Sequence, residues 1–300
     1  MVAYRLLCFA IPGVLAALLP TTGTAQGIGP AANPELEALA QRLDKAHLTD
    51  PAAKAIRGFD AHLRMGGFAK DAKQRGEIEF AVSFLEWIKP STGRPWPLIR
   101  YRQVDSADTI EYGRDQLDYW ALLDGRIRNL RSRELERDLE SCRSNLRLAR
   151  QLIRFLEPGT ELRSMTDVGP IQQEPLRQGR ARAVECTTVT GKLEDFPMLQ
   201  TGGEQSAVRA KAFIDPEGRL LGLEVTPLND QGVAYQGQGE FIMLQDYRTL
   251  GGRLVPMKIT HFAVPSEGVR KQQRQVQIVT LEVDPGQVEL SAPDFDRPAR

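Results

Sequence analysis

The sequence predicts an α+β protein dominated by antiparallel β-structure, an incomplete half-open β-barrel of about eleven strands. It adds an N-terminal helix and one long inserted helix that acts as a lid. Three observations carry this reading. From Ser206 to Asp284 the chain runs strand, turn, strand several times over. One continuous amphipathic stretch, near Ser132 to Leu156, interrupts the strands midway. The first residues read as an export signal, which places a strand-rich chain outside the cytosol.

Met1 to Ala25 carry a single positive charge, Arg5, before an apolar run from Leu6 to Leu19. Gly23 and Ala25 then occupy the −3 and −1 positions of a cut before Gln26. The run is short and broken by Pro12, Gly13 and Pro20, so a cleaved signal is expected rather than a retained anchor. Cys8 lies inside the run, where it is poorly placed for lipidation. The expected organisation is a signal peptide over 1–25, a Gly/Pro/Ala-rich leader over 26–33, one domain over 34–290 and a C-terminal tail over 291–300. Localisation is read as periplasmic and soluble.

The first element after the leader is a helix over Pro34 to His47. Asn33 stands at its N-cap and Pro34 at N1, with Leu36, Leu39, Ala40 and Leu43 at helical spacing. Strict alternation then predicts half-buried strands on Phe59, Ala61, Leu63 and Met65, and on Ile78, Phe80, Val82 and Phe84. Lys89 to Pro97 holds three prolines and is a loop. Leu98 to Val104, Thr109 to Gly113 and Leu117 to Leu123 complete a meander that ends at the Asp124–Gly125 turn.

The long helix follows. Leu135, Leu139, Cys142, Leu146, Ala149, Ile153 and Leu156 form one narrow apolar stripe. Ser132 caps its start and Pro158–Gly159 ends it. The remaining faces carry Arg133, Arg137, Arg143, Arg147 and Arg150 beside several carboxylates. Strands resume at Val184, Cys186 and Thr188, and at Val208 to Ile214. The Asp215-Pro216-Glu217-Gly218 turn comes next. Leu221 to Val225, Phe241 to Tyr247 and Val255 to Ile259 continue, with Gly251–Gly252 as a compact hairpin turn. Pro256 marks its strand as an edge or a bulge, and Val279 to Val283 is the last strand.

Composition narrows the function. The chain has 39 basic and 39 acidic residues, so no electrostatic footprint for nucleic acid and no polybasic membrane anchor is present. No nucleophile elbow, zinc-binding helix, phosphate loop or paired Cys-x-x-Cys occurs. His47, His62 and His261 lack a second ligand at metal spacing. His62 stands two residues from Asp60 on one strand, a spacing that a solvated surface explains as well as an acid–base pair. The reading is therefore not an enzyme, with no catalytic residue, metal or cofactor. Cys142 and Cys186 remain after signal removal. Even cysteine count and export invite a disulfide between them, and two buried free thiols are the alternative.

The order of segments resembles a known family. A helix precedes "IRGFDAHLRM"; a meander ends in "LDYWALLDG"; a helical insertion follows; then come "AFIDPEGRLLGLEV" and "FIMLQDYRTLGGRLVPMKITHF". This order is similar to that of the periplasmic lipoprotein carriers (the Lol carriers) and their wider lipid-binding superfamily. The resemblance spans Pro34 to Asp284. It implies an incomplete antiparallel barrel with helices covering the concave side, and a lipid or lipoprotein acyl chain as partner. Candidate lining residues for that cavity are Phe59, Leu63, Phe80, Phe84, Phe241, Met243, Met257 and Ile259. The lid helix would present Leu135, Leu139, Leu146 and Ile153. The expected function is a periplasmic carrier or binding protein for an acyl chain, a role in outer-membrane lipoprotein sorting. The alternative is an envelope sensor or adaptor of the same fold that binds a membrane-protein partner, with the Arg-rich helix face as its docking surface. A secreted hydrolase with scattered carboxylates has no positive support.

Overall fold

A computed structural model describes residues 33–50, 57–66, 77–103, 110–127, 146–176, 183–198, 206–235, 239–264, 274–283 and 290–296. The expected signal peptide, the leader up to residue 32, and Leu135, Leu139 and Cys142 lie outside them. Helix α1 spans Pro34–His47 and buries Leu36, Leu39, Ala40 and Leu43, the spacing read from the sequence. Strands β1 (Gly58–Gly66) and β2 (Glu77–Leu85) form a hairpin. A two-residue pair, β3 (Ile88–Lys89) and β4 (Arg94–Pro95), sits in the following loop as a separate small sheet. Then come β5 (Leu98–Gln103), β6 (Ile110–Arg114), β7 (Tyr119–Leu123) and β8 (Arg126–Ile127). Residues 146–156 are helical and are designated α2; α3 is Pro158–Arg163. The second half holds β9 (Gln172–Leu176), β10 (Val184–Phe196), β11 (Ser206–Ile214), β12 (Leu220–Pro227), β13 (Gly239–Leu250), β14 (Arg253–Val264) and β15 (Arg274–Val283), then the 3-10 turn η1 (Ala292–Phe295).

Thirteen strands form one antiparallel sheet in the order β8-β7-β6-β5-β2-β1-β15-β14-β13-β12-β11-β10-β9. Its first and last long strands, β1 and β15, pair at the centre, with Leu63 opposite Leu281. The free edges are β8 and β9, which do not pair with each other, so the sheet is not a closed barrel. The chain between those two edges contains α2 and α3.

The main sheet has thirteen strands where about eleven were expected. Its two edge strands escaped the pattern. β8 is only two residues long, and β9 reads Gln-Gln-Glu-Pro-Leu, polar and proline-bearing. Both features belong to sheet edges, where a strand needs neither apolar alternation nor every backbone donor. Pro256 follows the same rule. β14 lies between β13 and β15, but its pairing with β15 starts only at Lys258, so Pro256 is paired on one side alone. Turn chemistry matches the sequence. Asp124 and Gly125, and Gly251 and Gly252, have positive φ at both central positions, as a tight primed hairpin requires.

Pro158 does more than end the long helix. α2 stops at residue 156, and Pro158 takes the first turn of α3, a short helix that the sequence pattern does not announce. The expected C-terminal tail also carries structure, since η1 within it has Phe295 fully buried. Among the described residues no helix is long and apolar enough to cross a membrane.

Candidate functional site

The two faces of the sheet differ in chemistry. Alternation places Phe59, Ala61 and Leu63 of β1 on one face with Phe80, Val82 and Phe84 of β2. In the second half Val208, Ala210 and Ala212 of β11 lie in the same core with Ile242 and Leu244 of β13 and Val255, Met257 and Ile259 of β14. α2 completes that core through Leu146, Leu148, Ala149, Leu152, Ile153, Phe155 and Leu156. Six of the eight expected lining residues are therefore together: Phe59, Leu63, Phe80, Phe84, Met257 and Ile259. Of the expected lid residues, Leu146 and Ile153 face this core.

Phe241 and Met243 are corrected. They belong to a second cluster with Phe213, Leu221, Leu176 and Cys186, distinct from the main core. Their β13 neighbours Ile242 and Leu244 are the ones in the main core. Phe241-Ile242-Met243-Leu244 is apolar at every position, so no polar residue marks which parity faces inward. Cys186 is a free buried thiol in this second cluster, where burial pushes its pKa up to about 11. Cys142, its expected disulfide partner, lies outside the described residues.

α2 also departs from a narrow stripe. Leu148, Leu152 and Phe155 are buried beside the expected positions, and Arg147, Arg150 and Gln151 are buried too. The docking face expected from the arginines of this helix thus loses Arg147 and Arg150. Burial right round a helix means that it is enclosed by protein rather than laid on a surface.

Polar contacts fasten the C-terminal end of α2 and all of α3. Gln151 Nε2 donates to the Pro197 carbonyl at 2.6 Å. Arg154 donates to Glu161 at 2.8 Å and to the Asp195 carbonyl at 2.6 Å. Burial raises the Glu161 pKa despite Arg154 beside it. Arg253 meets Glu157 at 3.2 Å. Arg163 forks between Glu37 and Asp44 of α1, at 2.9 and 2.7 Å. Beside this junction Phe155, Leu162, Met165, Leu193, Phe196 and Leu223 surround a cavity of about 20 Å³, room for about one water.

The three histidines are separated. His47 ends α1 and accepts a hydrogen bond from the Leu220 amide through Nε2 at 3.2 Å. Its ring meets Tyr247 edge-on, and the Tyr247 hydroxyl donates to the Leu220 carbonyl. Burial pushes the Tyr247 pKa up and lowers that of His47 to about 4. His261 lies buried with Nδ1 3.4 Å from Glu240 Oε2, a pair invisible to sequence spacing because register across β13 and β14 creates it. His62 is exposed on the face that also carries Asp60, and no hydrogen bond joins the two.

Among the described residues no cluster of three or more potential ligands is placed to hold a metal ion. No family model matches the chain. No curated protein matches it either. Among solved structures, a DUF1329 family protein from Desulfovibrio piger is similar at a TM-score of 0.44 and 10% sequence identity, over 88% of this chain and 97% of that one.

Proposed function

We propose that this protein is an exported binding protein or carrier for an acyl chain. In this reading the sheet is a half-open barrel, and α2 is a lid that occupies its apolar face until cargo takes its place. The observation that carries the reading is that the apolar residues of α2 share one core with Phe59, Leu63, Phe80, Phe84, Met257 and Ile259. That core lies on a sheet with free edges rather than in a closed barrel.

Magnitudes make the exchange feasible. Burying the six large apolar side chains of α2 stabilises the closed form by about 12 kcal/mol in gross terms, at ~2 kcal/mol each. A sixteen-carbon acyl chain gains about 13 kcal/mol at ~0.8 kcal/mol per methylene. The two nearly cancel, so cargo exchanges with the lid without trapping either state. A role in sorting outer-membrane lipoproteins is the specific form of this proposal.

Native mass spectrometry of the protein purified without detergent tests the binding step. An adduct at the mass of one acyl lipid is the expected result. A bare mass after incubation with lipid vesicles would overturn it.

The alternative of a sensor or adaptor has its own support. Ile88 and Leu117 are large apolar side chains left 50% and 76% exposed. Their loops meet, since Trp96, just past β4, donates to the Asp115 carbonyl at 2.9 Å. That reading predicts a protein partner captured equally well by lipid-free and lipid-loaded protein, and lost on replacing Leu117 with Asp.

A further inference from the structure

The helical path breaks between α2 and α3 at one residue. Glu157 leaves the helical region, with φ −131° and ψ 57°. Its amide reaches back only three residues, to the Arg154 carbonyl at 3.3 Å. Pro158 follows and has no N–H, so the helical bond from residue 158 to the Arg154 carbonyl cannot form. Element-terminal residues of this kind absorb the backbone rotation of a hinge.

The two helices that meet there are held differently. α3 is gripped from both sides. Arg163 donates to Glu37 through Nε and Nη2 at 2.9 and 3.0 Å, and to Asp44 through Nη1 at 2.7 Å. Gly159 brings its backbone so close to α1 that a Cβ would crowd the Ala40 carbonyl. α1 is itself tied to the turn between β13 and β14, since the Thr49 and Asp50 amides donate to the Gly252 carbonyl at 2.9 and 3.0 Å. Downstream of α3, Thr166 exchanges two backbone hydrogen bonds with Lys192 of β10, at 2.9 and 2.7 Å. The Gly169 amide adds a third, to the Thr190 carbonyl at 2.8 Å.

α2 is fastened to the far end of β10 by side chains. Gln151 donates to the Pro197 carbonyl, and Arg154 Nη2 to the Asp195 carbonyl. Arg154 also crosses the break, with Nη1 on Glu161 of α3. A swing of α2 about Glu157 must break the two bonds to 195–197 and can keep the one to Glu161. We infer, on the acyl-chain reading, that Glu157 is the hinge of the lid and α3 its fixed anchor. α2 swings away as a unit, and α3 stays clasped between α1 and β10. Incoming cargo therefore displaces the apolar side chains of α2 and leaves Leu162 and Met165 in the core.

Hydrogen exchange of the purified protein, read on separate peptides for 34–47, 146–156 and 158–166 with and without palmitate, tests this. Palmitate should speed exchange over 146–156 and leave 158–166 and 34–47 unchanged. Gln151→Ala tests the same hinge without lipid. Loss of one buried hydrogen bond should speed 146–156 about tenfold and leave 158–166 alone. Arg163→Ala, an exposed change, should free the anchor, so that 158–166 follows 146–156 when palmitate is bound. Joint acceleration of 146–156 and 158–166, with palmitate or in Gln151→Ala, would overturn the hinge and leave the acyl-chain reading standing. Unchanged exchange over 146–156 in both experiments would overturn the hinge as well. Failure of palmitate to bind, with 146–156 alone faster in Gln151→Ala, would overturn the acyl-chain reading and leave the hinge in place.

Discussion

His47 shows how one side chain ties stability to pH. Its ring is buried between the Leu220 amide and Tyr247, and burial holds its pKa near 4 against an ordinary value of 6.5, although Asp215 and Asp44 pull the other way. The unfolded chain therefore binds a proton at a pH where the folded chain does not. Stability is fully present above pH 6.5 and falls as pH drops toward 4, by about 3 kcal/mol in total. Urea denaturation across that window should show the loss, and His47→Gln should flatten it. Equal acid sensitivity in both proteins would exclude His47 as the cause. Gly113 gives a second test. A Cβ there would overlap the Trp120 ring, which is buried opposite it on β7. Gly113→Ala should cost about 1–3 kcal/mol of overpacking, with an altered near-ultraviolet tryptophan signal. At this scale the sequence was readable where polar residues alternate with apolar ones, as in Phe59-Asp60-Ala61-His62. It was not readable in Phe241 to Leu244, where both parities are apolar and only strand pairing decides which one faces the core.

At the scale of elements, the junction of α1 with α3 is the least expected feature. Gly159 lets the two helices approach closely, since a Cβ there would lie 2.8 Å from the Ala40 carbonyl and closer still to Asp44. Arg163 then spans Glu37 and Asp44. Gly159→Val should force α3 away from α1, lower the unfolding midpoint, and speed hydrogen exchange at 158–165 before any effect on β1 or β2. Uniform acceleration across the sheet would mean that α3 has no independent stability. The sequence gives α1 fully, through its cap and its apolar spacing. It hides α3 because six residues carry too little periodicity, and it hides β8 and β9 because edge strands are short or polar. Residues 146–156, the described part of the expected long helix, are helical as read, but the stripe positions within them understated their burial. Leu148, Leu152 and Phe155 widen the apolar surface, and Arg147 and Arg150 are enclosed with it.

For the whole molecule, topology sets what can move. The first and last long strands close the centre of the sheet, and the segment carrying α2 and α3 links its two free edges. Displacing α2 would therefore uncover the apolar face without breaking a strand pair. The fastenings at Gln151, Arg154 and Arg163 lie toward its C-terminal end, so that end should leave last. In the proposed mechanism an acyl chain replaces α2 on this face. Hydrogen exchange of residues 146–156, with and without a bound acyl lipid, tests it most directly. Faster exchange is expected throughout 146–156 in the lipid-loaded protein, with 57–66 unchanged. Lipid binding that leaves α2 exchange unchanged or slower would contradict it.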